Sequence, residues 1–299
     1  MAESNWLMEF PAMERSSLVA IRKALDGAYR DFSRSYGEAI EGFFDPLLHF
    51  LIGFEKLLLT TPWPVVLAVL VGLTYLASRS IKLTIGVCAA FALIGYFGMW
   101  DNTMRTLAII TVATLLSIAI GVPTGIMMAR SDRTQAVVTP VLDIMQTMPA
   151  FVYLIPVVML LGIGKVPGVI AVVIYAIPPV IRLTNLGIRL VDREVLEAAT
   201  AFGANKRQRL FQVQLPLALP TIMAGINQTI MMALAMVVIA SMIGVKGLGQ
   251  PVLKSITNQY FTLGLFNGLA IVVIAIMFDR VSQAYAKRTQ KHLEGMHGA

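Results

Sequence analysis

Apolar residues in this chain come in long blocks separated by short polar stretches. Seven blocks run approximately over 59–78, 83–100, 104–128, 136–162, 166–185, 216–244 and 264–281. Each is near the roughly 20 residues a helix needs to cross a bilayer. Ahead of them, Ile40, Phe43, Phe44, Leu47, Leu48, Leu51 and Ile52 form an apolar stripe that Glu41, Asp45, Glu55 and Lys56 interrupt. That pattern predicts an amphipathic helix over about 38–56, lying on the membrane surface. Helix breakers sit inside several blocks, at Gly121-Val122-Pro123, Pro149, Pro156 and Pro178-Pro179. Such breaks are tolerated in membranes where neighbouring helices or water satisfy the freed backbone groups. The chain therefore reads as an all-α integral membrane protein with about seven transmembrane helices. An N-terminal segment covers 1–56, a membrane domain 57–281 and a tail 282–299.

Composition supports this reading. With 57% hydrophobic residues, 14% charged residues and a mean hydropathy of +0.75, the chain is far more apolar than a soluble domain. Its 299 residues leave no room for a sizeable soluble enzyme domain beside the spans. A net charge of +7 and a pI near 9.6 raise the question of nucleic acid, but the basic residues are spread over short loops between apolar blocks. Topology accounts for them. One set of alternate loops holds Arg79, Lys82, Arg130, Arg133, the group from Arg182 to Arg209, and Arg280, Lys287, Arg288 and Lys291. The other inter-span loops hold only Arg105, Lys165, Lys246 and Lys254. The richer side is expected in the cytoplasm, with the C-terminus inside and the N-terminus outside. An excess of acidic over basic side chains in 1–56 agrees. Met1 to Pro11 lacks the basic start and apolar run of a cleavable signal peptide. A single cysteine, Cys88, excludes an intrachain disulfide, and no His/Cys cluster points to a metal site.

The polar stretch from Asp192 to Pro216 carries the most specific pattern. Val195, Ala198, Ala199 and Phe202 recur at helical spacing, and Gly203 supplies the residue that most readily takes φ > 0 at a helix end. Asn205 followed by Gln208 reads as a variant capping box, so a second helix should run through Leu210, Phe211 and Val213. Pro216 is then placed to open the next membrane helix, where its missing N–H costs nothing. Any loop of this size could form two surface helices, and Glu-Ala-Ala alone is common. The full spacing is specific: Glu197-Ala198-Ala199, three residues, Gly203, nine residues, then Val213-Gln214-Leu215-Pro216. Small residues on one face let another protein's backbone approach closely, and a carboxylate can fix its orientation.

This spacing resembles the cytoplasmic coupling loop of ABC-importer permeases, here over 192–215. The resemblance extends from about Thr103 to Asp279. Leu142-Asp143-Ile144-Met145-Gln146-Thr147-Met148-Pro149-Ala150-Phe151, Tyr153-Leu154-Ile155-Pro156, Gly225-Ile226-Asn227-Gln228-Thr229-Ile230-Met231 and Gly247-Leu248-Gly249 are similar to the glycine betaine/proline betaine/choline branch. It implies a multi-pass subunit of the bacterial cytoplasmic (inner) membrane, working as a pair with a second permease copy. A substrate-binding protein outside and cytoplasmic ABC ATPases inside complete the implied system. Glu197, Ala198, Ala199, Gly203, Leu215 and Pro216 would form the coupling loop. ATP and Mg belong on the partner ATPase, with no cofactor and no catalytic residue on this chain. Gly162-Ile163-Gly164-Lys165-Val166 agrees, since Met159 stands where a phosphate loop needs its first glycine and Val166 where it needs a hydroxyl.

Polar residues inside the apolar blocks are the candidates for lining a translocation path: Asp143, Gln146, Thr147, Tyr153, Asn227, Gln228 and Thr229. Each has a structural alternative. Asp143 also suits a pairing with Gln146 or Arg182, and the run from Asn227 to Thr229 suits hydrogen bonds between helices. Phe151, Tyr153 and Tyr175 are too scattered to define an aromatic cage for a quaternary ammonium group, so tight recognition is expected on the external binding protein. Two competing functions fit part of the pattern. An ion-coupled secondary transporter of a small solute would use Asp143 and the broken helices; a membrane scaffold would merely anchor an ATPase.

Overall fold

The computed structural model describes residues 12–297; the readings that fall on residues 1–11, including the absence of a leader, and on residues 298–299 lie outside it. Among the described residues the chain is helical, with no strand. Helix α1 covers Arg15–Thr60, so the expected surface helix begins more than twenty residues earlier than its apolar stripe and passes through Pro46. It ends where Pro62 holds Thr61 extended, and the chain turns by 110° into α2, Trp63–Ser78. Arg79, in the left-handed region at φ 50°, leads to α3, Ile81–Tyr96, whose first turn is capped by the Ser80 hydroxyl. Helix α4, Trp100–Arg130, is the first long enough and apolar enough to cross a membrane by itself.

The segment expected as one span over 136–162 is two helices. Pro149 disfavours the helical conformation for Met148, which is extended at ψ 133°, and α5, Asp132–Thr147, therefore stops there. A 3₁₀ turn at Ala150–Tyr153 leads into α6, Leu154–Leu161, bent by 111° from α5. By contrast α7, Lys165–Ala176, and α8, Pro178–Arg189, continue closely enough to count together as one crossing of 25 residues despite Pro178-Pro179. Beyond α9, Arg193–Ala201, and α10, Lys206–Gln208, a π-helical stretch Arg209–Gln214 runs without a break into α11, Leu215–Ala240. Pro216 thus does not open a separate helix. Its ring and missing N–H are absorbed by the π turn, in which the Leu215 N–H reaches back five residues to the Leu210 carbonyl. The short α12, Gly249–Asn258, precedes α13, Phe261–His297, which runs on past residue 282, the expected start of the tail.

Against the seven spans expected, four helices among the described residues meet the length and hydropathy of a crossing, and up to six do if each bent pair counts as one. The apolar α3, at 16 residues, is shorter.

Glycines set the packing at the centre. A Cβ on Gly121 of α4 would lie 2.4 Å from Val180 Cγ1, and one on Gly125 would lie 2.7 Å from the Ile181 carbonyl oxygen. From the other side, a Cβ on Gly225 of α11 would come within 3.2 Å of the Pro179 carbonyl oxygen. Helix α8 is therefore held between α4 and α11 at backbone distance, the close approach that small residues permit where lipid offers no hydrophobic drive to associate.

The two ends of the bundle are tied differently. At one, the Arg189 guanidinium donates to the Met128 carbonyl at 2.9 Å, the Asp132 carboxylate at 2.7 Å and the Asn185 side-chain oxygen at 3.1 Å. At the other, Glu55 of α1 is only 7% exposed and receives Lys165 Nζ at 2.7 Å, with Arg105 Nε 3.8 Å away. Higher on α1, the Tyr29 hydroxyl donates to the Pro156 carbonyl at 2.6 Å. The long helix is thus braced against the bundle and not only laid beside it.

Candidate functional site

The polar hairpin between α8 and α11 is built by local rules. Asp192 accepts from the Glu194 N–H at 2.9 Å and caps α9. At the other end Gly203 sits at φ +84°, its N–H donating to the Thr200 carbonyl while the Ala204 N–H donates to the Ala199 carbonyl. This double closure is the Schellman arrangement, which needs a residue at ease in the left-handed region. Asn205 Oδ1 then accepts from the N–H groups of Arg207 and Gln208, while Gln208 Oε1 accepts from the Asn205 N–H at 2.9 Å. The capping box expected from the sequence is present on both sides. Arg209 Nη1 donates to Thr200 Oγ1 at 3.1 Å and joins the two arms.

The hairpin hangs from the bundle by Leu210, buried with Ile188, Ala218 and Ile222. Among the described residues nothing covers its outer surface. No residue of α9 is buried, Glu197 and Ala198 are exposed, and Phe202 at the tip is 93% exposed. Leu190, Val195 and Phe211 are exposed as well, Phe211 with the Arg207 guanidinium 5.9 Å from its ring centroid. An open cleft of about 480 Å³ lies between the arms, lined by Arg193, Leu196, Glu197, Thr200, Ala201 and Arg209. Nothing lies within 4 Å of the position a Cβ on Gly203 would take. Leu215 and Pro216 are half-buried where the hairpin joins α11. Sequence spacing singled out the glycine and the Glu-Ala-Ala group and put Leu210 on the second helix, but not the Thr200–Arg209 contact, which depends on how the arms meet.

The other candidates are dispersed. Asp143, Gln146 and Thr147 lie exposed on α5, and of the two partners expected for Asp143 the structure provides Arg182 of α8, in a direct ion pair. Tyr153 is buried; its hydroxyl donates to the Met145 carbonyl across the α5 break, and its ring meets Tyr175 edge-on at 6.1 Å. Asn227 bridges α11 and α13, donating to Asp279 at 2.7 Å and accepting from the Ser282 hydroxyl at 2.7 Å. Gln228 is exposed, and Thr229 is fully buried on the same helix. Among the described residues no hydrogen bond joins the α5 group to the α11 group. Three contributors were not anticipated: Glu55, Arg189 and Asp279. Asp279, an ionisable residue at the end of an apolar block, was the available signal.

Several helices of membrane-crossing length and one exposed, self-capped hairpin define the class: a multi-helix membrane protein with an uncovered polar hairpin between two of its helices. Residues 121–291 match the family described as binding-protein-dependent transport system inner membrane component, and the chain belongs to that family. The glycine betaine/proline betaine transport system permease protein ProW of Escherichia coli (strain K12) is 50% identical over 242 residues, 81% of this chain and 68% of that protein. The glycine betaine transport system permease protein OpuAB of Bacillus subtilis (strain 168) is 42% identical over 272 residues, 91% of this chain and 96% of its own length. A chain of the MetNI methionine ABC transporter, solved in inward-facing conformations, superposes with a TM-score of 0.57 at 20% identity, covering 62% of this chain and 93% of its own. That likeness is one of fold. The chain is a transport component of the ABC permease type.

Proposed function

We propose that this chain is the permease subunit of an ATP-driven importer that carries glycine betaine, proline betaine, choline or a related quaternary ammonium solute across the bacterial cytoplasmic membrane. The observation that carries the coupling half of this reading is the uncovered hairpin, with Phe202, Glu197 and Ala198 exposed around an open cleft. The substrate class rests on the names of its relatives at 42% and 50% identity. A cytoplasmic ATPase docks on the hairpin, holding ATP and Mg on its own side. The hairpin end faces the cytoplasm, in keeping with its crowding of Lys and Arg, and the Glu55 end faces the external binding protein. A second permease copy completes the path. Asp143, Gln146 and Thr147 are exposed on α5 and supply its polar wall; Asn227 and Tyr153, already committed to structural hydrogen bonds, support it from behind.

The test is reconstitution of the chain with its ATPase and binding protein in vesicles, following ATP-dependent uptake of labelled glycine betaine and its competition by choline. Glu197→Arg places a cation between Arg193 and Arg209 and is expected to release the ATPase and stop uptake, with the chain still inserted. Uptake that survives ATP depletion but collapses with an ionophore would replace this reading by ion coupling.

A further inference from the structure

A second concave site shares no lining residue with the hairpin cleft and is almost wholly apolar. It is a crevice of about 310 Å³ between α2, α3, α4 and α13, with Leu73 and Ala77, Phe91, Leu107, and Phe278 and Val281 among its walls. Its one polar side chain, Thr74, already donates its hydroxyl to the Leu70 carbonyl at 2.9 Å, so no side-chain donor is left for a polar solute. Leu70 to Ala77 spans about 10 Å of helix rise, enough to make a slot and not a pit. The outer faces of the helices that frame it carry exposed Val69, Leu76, Ile85 and Leu93, the surface expected against hydrocarbon.

One mouth of the slot is cationic. Arg288, two turns beyond Val281 on α13, donates Nη1 to the Leu76 carbonyl at 2.9 Å, and Leu76 lies one turn before Arg79. Arg288 therefore reaches the last turn of α2, and Arg79, which follows that turn, holds its guanidinium 5.8 Å from the Tyr75 ring centroid. Neither has a carboxylate within ion-pair distance among the described residues. The nearest acid in sequence to the α13 wall, Asp279, is occupied by Asn227 and Gln283. An apolar slot flanked at one end by two arginines that have no carboxylate partner among the described residues is complementary to one kind of molecule. We propose that it holds an acyl chain of an anionic phospholipid, with the lipid phosphate on Arg79 and Arg288.

The experiment titrates delipidated protein in detergent with phosphatidylglycerol and, separately, with phosphatidylcholine of the same chains, counting bound lipid by native mass spectrometry. Saturable binding of one phosphatidylglycerol per chain, favoured over phosphatidylcholine, is expected. At about fivefold for each basic side chain near an anionic group, Arg79→Gln with Arg288→Gln should weaken phosphatidylglycerol binding about thirtyfold. Arg79→Lys with Arg288→Lys should keep most of it. Ala77→Phe fills the slot and should abolish binding with both arginines in place; Val281→Phe fills it from the facing helix and gives a second, independent block. Thermal unfolding without lipid verifies that each variant is folded. Equal binding of the two lipids, or phosphatidylglycerol binding that neither phenylalanine alters, would overturn the assignment.

Discussion

Glu55 and Asp143 are both acids paired with a base, and burial separates them. Glu55 is 7% exposed and faces two cations, so Glu55→Gln leaves Lys165 and Arg105 without a counter-charge. Because those cations keep partial access to water, the expected cost is about 1–3 kcal/mol, below that of breaking a wholly buried pair. It is measured as a drop in thermal stability and as faster amide exchange in the second half of α1. Adding Lys165→Gln should recover part of the loss, a coupling that a double-mutant cycle isolates. Both side chains of the Asp143–Arg182 pair are more than a third exposed, and Asp143→Asn should change stability by less than about 1 kcal/mol. Any larger effect of that substitution on uptake then belongs to transport and not to folding.

At the scale of the element, Gly203 is the informative position. Its φ of +84° excludes a β-branched residue on backbone grounds, while the open space around it excludes a steric clash. Gly203→Val is therefore expected to distort only the hairpin turn, leaving expression and insertion intact and uncoupling ATP hydrolysis from uptake. Gly203→Asn, which tolerates the left-handed region, should retain most activity. Unchanged uptake by the valine variant would count against the hairpin's role. This turn was legible in the sequence because its determinants, Gly203 and the Asn205–Gln208 pair, act within a few residues. Pro149 was legible as a breaker, but not the 111° bend that follows it, which depends on how α6 packs. Nor was the π turn before Pro216, since a proline reads equally as a helix start and as an interruption absorbed by re-registering the hydrogen bonds. Glu55 with Lys165 and Asn227 with Asp279 were out of reach, joined across 110 and 52 residues of chain.

For the molecule as a whole, glycines divide into those that pack and those that do not. Gly125→Leu drives a side chain into the Ile181 carbonyl and Thr184, and should cost about 1–3 kcal/mol or more, seen as lost folded yield in detergent. Gly72→Leu on α2 meets nothing within 4 Å and should be tolerated. The same close fit bears on how movement passes through the protein. Helix α8 is approached closely by α4 at Gly121 and Gly125 and by α11 at Gly225, and the hairpin follows its end. Under the proposed docking, a push received at Phe202 meets these close glycine contacts at the end of its lever. Helices α4, α8 and α11 are then expected to travel together as one strut, with the play that transport requires at its margins.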